Sequence, residues 1–279
     1  MCIRDRLVCI NGSAEELGYN YAADEILLSD PGAFLTALKE IGKIWPEWFD
    51  LQKQRRNAWV EKWESHIAAE TAADEKAGGK MHPLQLGLDV LAEMNSDDWL
   101  VFDGGNTHFW NEIAVNMSGW RGQQLAGILH PGNYSLLGVG VSFGISAKAT
   151  HPESNVVVVS GDGAFLSGGL SVEAAFQEGL PITVVIDNNG GLDCISQQQE
   201  RLFANGQHFA TDFRDIPFHT MFEGLGGHGE LVTRREQLKP ALQRAIASGK
   251  TACVNVKCRG VISPIVAATS DKRDKASIE

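Results

Sequence analysis

The sequence predicts an α/β protein: a doubly wound, mostly parallel β-sheet with helices on both faces. Three observations carry this. Residues 156–159 are all valine and 181–186 are apolar but for Thr183, without the alternation of a strand that has one wet face, so both read as strands buried on either side. Between them Val172, Ala175, Phe176 and Gly179 recur at i, i+3, i+4 and i+7, with Glu173, Gln177 and Glu178 opposite, the spacing of an amphipathic helix facing inward. From residue 82 onward, strand and helix patterns alternate, as the crossovers of a parallel sheet require.

Taken in order, residues 7–10 read as a short strand and 13–18 as the start of a helix. Residues 25–28 form a second strand, and Asp30-Pro31 supplies the N-cap and first position of a helix carrying Phe34, Leu35, Leu38 and Ile41. Between 44 and 80 the composition shifts to Trp45, Trp48, Trp59 and Trp63 among charged residues. Trp59, Trp63 and Ile67 recur every four residues, as an aromatic stripe on one helix face does, so 44–80 is expected to be a helical linker. The compact domain spans 81–260, with helices at 83–94, 135–149, 170–179 and 236–248 and strands at 99–103, 156–160, 181–187 and 252–258. Residues 261–279, rich in charge, are expected to be a solvated or partner-wrapping tail.

Composition narrows the function. A formal net charge of −11 over 279 residues argues against a nucleic-acid or anionic-membrane surface. No apolar run reaches the roughly 18 residues of a membrane span. The five cysteines lack paired zinc spacing, and no secretory leader is recognisable, so reduced thiols in a cytoplasmic protein are expected.

The chemistry gathers at strand ends. The strand at 156–160 runs into Gly161-Asp162-Gly163 and the next ends at Asn188-Asn189, with 24 residues between the motifs. A ten-residue helix returns about 15 Å along the sheet, and a seven-residue strand climbs about 23 Å back. Asp162 and Asn189 therefore emerge together on the carboxyl edge, where open α/β sheets bind ligands. One carboxylate, one amide oxygen and glycine-turn carbonyls are hard oxygen donors suited to Mg²⁺ with a phosphate. Glycines also let backbone N–H groups approach that phosphate beside a helix start.

Gly161-Asp162-Gly163, the intervening helix and Asn188-Asn189 together resemble the cofactor signature of thiamine-diphosphate-dependent enzymes, in particular the acetolactate synthase-like branch. The resemblance implies thiamine diphosphate and Mg²⁺ as cofactors, with Asp162, Asn189 and the Gly191 carbonyl as metal ligands. It implies diphosphate contacts at Gly161, Asp162, Gly163 and Ala164, and at Gly105, Asn106 and Thr107 in a third strand-end turn, Asp103-Gly104-Gly105-Asn106-Thr107. Leu137 takes the place of the apolar wedge that bends the cofactor, and the Ser135 carbonyl, where glycine is frequent, the place of an acceptor for its amino group. Pyruvate decarboxylases carry glutamate where Ile195 stands and acetolactate synthases tryptophan near Gln198, so neither specific activity is implied.

The family reading also bears on what lies outside the domain. Residues 7–43 resemble the end of a central Rossmann-like domain, and residues 1–6 resemble a translated sequencing adapter, so the chain is expected to be the C-terminal portion of a longer protein. The family's activating glutamate belongs to a pyrimidine-binding domain of another subunit. The expected activity is thus part of a 2-keto acid decarboxylase or carboligase, homodimeric or homotetrameric at full length and inactive as this piece. Gly190-Gly191 also resembles oxalyl-CoA decarboxylases and 2-hydroxyacyl-CoA lyases, and Asp103 to Thr107 with Trp110 resembles benzaldehyde lyase-like enzymes. Two readings of other classes are a noncatalytic paralogue and a Rossmann dinucleotide oxidoreductase. The second would need a third glycine where Leu166 stands.

Overall fold

A computed structural model describes residues 8–17, 22–41, 46–76, 78–203, 205–264 and 266–267. The expectations for residues 1–6, for Trp45 and for the tail beyond 267 lie outside the described residues. The chain divides into two compact units, Met1–Trp59 and Val60–Glu279.

In the first unit β1 (Val8–Asn11) and β2 (Glu25–Leu28) pair in parallel, Cys9 opposite Ile26. Helix α1 (Pro31–Ile41) starts where the Asp30 carboxylate accepts the Ala33 N–H at 2.8 Å, a side-chain N-cap. The helix expected at 13–18 is not formed: residues 14–17 are turn, and the Asn11 side chain accepts the Ser13 N–H at 2.9 Å. That side-chain bond offers the backbone a turn instead of a helical one. Helix α2 (Pro46–Lys76) is continuous for 31 residues and carries the boundary between the units within it. In its second part Trp63 is buried and meets Trp110 edge-on, ring centres 5.9 Å apart.

The second unit is built on a six-stranded sheet. In chain order it contains α3 (Pro83–Ala92), β3 (Trp99–Phe102), α4 (Asn106–Trp120), β4 (Gly127–Leu129), α5 (Gly140–Thr150), β5 (Val156–Gly161), α6 (Asp162–Gly168), α7 (Val172–Gln177), β6 (Thr183–Asn188), α8 (Asp193–Leu202), α9 (Phe218–Gly224), β7 (His228–Val232), α10 (Leu238–Ala247) and β8 (Ala252–Lys257). The strands lie in the order β4-β3-β5-β6-β8-β7, every neighbour parallel, with Val101 opposite Val158 and Val158 opposite Val184. All six residues of β6 and the first five of β5 are buried. Since successive side chains of a strand point to opposite faces, both faces are covered, and the fold is doubly wound. Phe165, Phe218 and Phe222 join the central valines and Ile186 in the core.

Several elements depart from the expected pattern. The helix placed at 135–149 begins only at Gly140, because Ser135 is left-handed (φ 47°) and Gly138 has φ 87°. The helix placed at 170–179 is a 3-10 turn followed by α7, and Gly179 is exposed with φ 61°, ending the helix instead of facing inward. Strands β4 and β7 and helices α4, α6, α8 and α9 were not foreseen.

Helix α3 opens on an unusual cap. His82 is fully buried, and its Nδ1 accepts the Leu84 N–H at 3.1 Å while Pro83 takes the first helical position. Burial, then the neighbouring His66, pushes the His82 pKa from 6.5 down to about 4. The unfolded chain therefore takes up a proton that the folded chain refuses. Stability from this group is fully present above pH 6.5 and lost as pH falls toward 4, by up to about 3 kcal/mol. His82→Asn keeps a capping oxygen and removes the proton site, so thermal melts from pH 4 to 7 should fall less steeply for the variant than for the parent.

Candidate cofactor site

The chain order reverses between β3 and β5: β3 leads outward to β4, whereas β5 leads the other way to β6. Such a reversal opens a crevice at the carboxyl ends of the strands. Three turns meet there: residues 103–105 after β3, Asp162 after β5 and Asn189 after β6.

Asp162 begins α6 directly and is 3 % exposed. One carboxylate oxygen accepts the Gly163 N–H at 2.7 Å; the other accepts Gly190 N–H at 2.7 Å and Gly191 N–H at 3.2 Å. These bonds tie the end of β5 to the turn after β6. The Asn189 side-chain oxygen accepts the Gly191 N–H at 3.1 Å, and the Gly190 carbonyl takes the Phe213 N–H at 2.8 Å. Of the two glycines, then, Gly191 has the carbonyl that remains to be turned toward a cation.

The electrostatics favour a cation. Burial, with the charges of Asp187 and Asp193 adding to it, pushes the Asp162 carboxyl up to about 7 against the pull of its backbone donors. Asp193 is raised to about 6, chiefly by burial and then by Asp187, Asp212 and Glu200, and its buried Oδ2 has no hydrogen-bond partner among the described residues. Asp187 is raised by complete burial, although Thr107 donates its hydroxyl at 2.9 Å. Three carboxyl groups crowd one sheet edge, and a divalent ion there offsets their mutual repulsion. The oxygen donors and the orphaned carboxylate oxygen fit Mg²⁺ beside a phosphate.

The other wall is the loop 135–139. Its support is Asp103, which is fully buried and accepts the N–H groups of Gly104 (2.8 Å), Gly138 (2.9 Å) and Val139 (3.2 Å) and the Ser160 hydroxyl (3.0 Å). A Cβ on Gly104 would lie 2.4 Å from the Leu136 carbonyl oxygen and 2.5 Å from that of Ser135, so only glycine lets the loop settle on the turn. Gly105 has φ 84° and lies beneath the Leu137 side chain, which is 40 % exposed.

The eleven residues singled out from the sequence, Gly105, Asn106, Thr107, Ser135, Leu137, Gly161, Asp162, Gly163, Ala164, Asn189 and Gly191, all line one cleft of about 190 Å³. Gly104, Leu192, Asp193, Cys194 and Ile195 complete it. Two of the eleven have side chains engaged within the protein. The Asn106 side chain is committed elsewhere, donating to the Val261 carbonyl at 2.6 Å and accepting the Ser263 N–H at 2.8 Å, and Trp110 joins it on Val261 at 2.8 Å. The Thr107 hydroxyl donates to Asp187 at 2.9 Å. Sequence reasoning missed the supporting roles of Asp103 and Asp187. The signal for Asp103 was its place as an acid at the end of a strand, ahead of glycine, like Asp162. The Cys194 thiol is pushed up to about 12 by burial and by Asp193, so it stays protonated and is no nucleophile.

Comparison with known proteins follows the same residues. A family model described as "Thiamine pyrophosphate enzyme, C-terminal TPP binding domain" matches residues 103–256. The chain is 31% identical over 178 residues to a probable acetolactate synthase of Mycobacterium bovis, covering 63% of this chain and 31% of that protein. It is 28% identical over 265 residues to 2-hydroxyacyl-CoA lyase 2 of Danio rerio, covering 91% of this chain and 41% of that one. The chain thus spans between about a third and two fifths of the length of these relatives. Among solved structures, a thiamine diphosphate-dependent 4-hydroxybenzoylformate decarboxylase from Rhodococcus jostii RHA1 superposes with a TM-score of 0.56 at 23% identity, covering 66% of this chain and 34% of that one. This last likeness shows the fold.

Proposed function

The chain belongs to the thiamine pyrophosphate enzymes through their C-terminal TPP-binding domain, and from that premise we propose that its cleft holds the diphosphate end of thiamine diphosphate through Mg²⁺. The observation that carries this is the buried Asp162 carboxylate, set beside half-buried Asn189 and buried Gly191 among the acids Asp187 and Asp193. Asp162, the Asn189 amide oxygen and the Gly191 carbonyl hold the cation. The amides around Gly105, Gly161, Gly163 and Ala164 border the diphosphate. Leu137 supports the bend between the cofactor's two rings, and Ser135 supplies the carbonyl facing its amino group.

When bound, the cofactor supplies carbanion chemistry at a carbonyl carbon, and the protein orients it and shields it from water. Leu192 and Ile195 give the cleft an apolar wall toward the reacting end. The family resemblance supports placing the activating glutamate on a pyrimidine-binding domain of a second subunit. Leu136 (60 % exposed), Leu137 and Ile195 (43 % exposed) form an apolar rim for that domain to cover. The domain boundaries drawn at 43, 80 and 260, a homodimeric or homotetrameric whole and a cytoplasmic setting belong to the same proposal. None of the four described cysteines forms a disulfide, and among the described residues no helix is long and apolar enough to cross a membrane.

The reaction we assign to the whole protein is decarboxylation or carboligation of a 2-keto acid. A second reading, cleavage of a 2-hydroxyacyl-CoA, is favoured by one observation: the relative of that name aligns over 91% of this chain, against 63% for the acetolactate synthase.

Thermal shift tests the cofactor assignment. Thiamine diphosphate with Mg²⁺ at a hundredfold excess over Kd stabilises by about 2.7 kcal/mol, raising Tm by roughly 5–10 °C for a unit of this size. NADH should do nothing. A shift with NADH, or none with thiamine diphosphate and Mg²⁺, overturns the assignment.

A further inference from the structure

We propose that His108, Glu112 and His130 form a binding site for a divalent transition-metal ion of the Zn²⁺ type, outside the cleft and on the β4 side of the sheet. One ligating atom from each residue lies within 4.8 Å of the other two. His108 and Glu112 stand four residues apart on α4, so one helix face presents both. His108 Nε2 lies 3.0 Å from Glu112 Oε1. Two ligands on one ion, at bonds of about 2.0–2.2 Å, sit roughly 3 Å apart, so this pair is spaced to share a cation as well as a proton. His130 follows β4 directly; its ring stacks on Phe102 at 4.9 Å and meets His108 edge-on at 5.0 Å.

The donor set selects the metal. Two imidazoles and one carboxylate suit Zn²⁺, Co²⁺, Ni²⁺ or Cu²⁺ and not Mg²⁺, and three protein ligands leave a position for water.

A second observation points the same way. His108 is 2 % exposed, and its Nδ1 has no hydrogen-bond partner among the described residues. An unmatched buried nitrogen is an exception in a folded protein and marks this ring as short of a partner. His130 is exposed, and its Nδ1 accepts the Gly132 N–H at 3.1 Å. Occupancy ties the first turns of α4 to the segment after β4, one residue from Thr107 in the cleft.

The test uses Co²⁺ as a coloured probe, titrated into the metal-free 279-residue chain. One Co²⁺ per chain is expected, with visible absorption bands of a low-coordinate site, displaced by Zn²⁺ and unaffected by excess Mg²⁺. His130→Asn and Glu112→Gln, both at accessible positions, should each weaken uptake by about tenfold or more, with melting curves confirming that the variants fold. Asp162→Asn should leave uptake unchanged. Absence of stoichiometric uptake, uptake that either substitution leaves intact, or uptake lost with Asp162→Asn overturns the proposal.

Discussion

Asp162→Asn is expected to weaken Mg²⁺-dependent binding of thiamine diphosphate by about 100-fold or more while leaving the cofactor-free chain folded. The cation loses its one charged ligand, and a charge-assisted contact of about 3 kcal/mol corresponds to roughly that factor. Stability moves little because two effects oppose. The amide presents a donor to one of the N–H groups of Gly163, Gly190 and Gly191 that the carboxylate now satisfies. It also relieves a charge that burial, Asp187 and Asp193 disfavour. Isothermal titration with the cofactor and Mg²⁺, beside a thermal melt without them, separates binding from folding. Unchanged affinity would sink the metal assignment and favour a noncatalytic relative that keeps only the fold.

Asp103→Ala carries the largest expected cost in stability. This carboxylate is fully buried and is the common acceptor for three backbone N–H groups and one hydroxyl. Each donor stranded without water costs about 1–3 kcal/mol. Some of that is recovered because Gly138 and Val139 are only half-buried, so the net expectation is about 3–5 kcal/mol, the usual scale for breaking a buried charged network. Urea unfolding measures it. A loss below about 1 kcal/mol would mean that the loop 135–139 is held by something else. In a chain that still folds, the thermal shift with thiamine diphosphate and Mg²⁺ should shrink, because that loop carries Ser135 and Leu137.

The central strands were legible in the sequence because their composition leaves no choice: a run such as Val156 to Val159 has no polar residue to give to water. The strand-end motifs were legible for a related reason, since glycine beside an acid or amide at such an end has few structural uses. Edge strands were not legible. β4 is three residues with a glycine, and β7 mixes His228 and Glu230 with its apolar residues, so neither carries a period-2 signal. Helix α8 was hidden in the same way, with Gln and Glu dominating and only Ser196 buried. The loop 135–139 was read as helix because its residues suit one; a carboxylate more than thirty positions earlier in the chain overrides that preference. Asn106 shows the limit for side chains. Its residue type fitted a phosphate contact, and only the fold reveals that its amide is bound to residues 261 and 263.

The two rims of the sheet have a consequence for assembly. On one side β4 offers three residues of backbone; on the other, Glu230 of β7 is held by Arg244 through two 2.8 Å bonds and by His228 at 2.9 Å. A short rim and an ion-paired one are poor templates for an incoming strand. Zippering of one molecule onto the next through the six-stranded sheet is therefore disfavoured. The strands that carry the cleft are thus set apart from any surface of helices and loops that a partner would use.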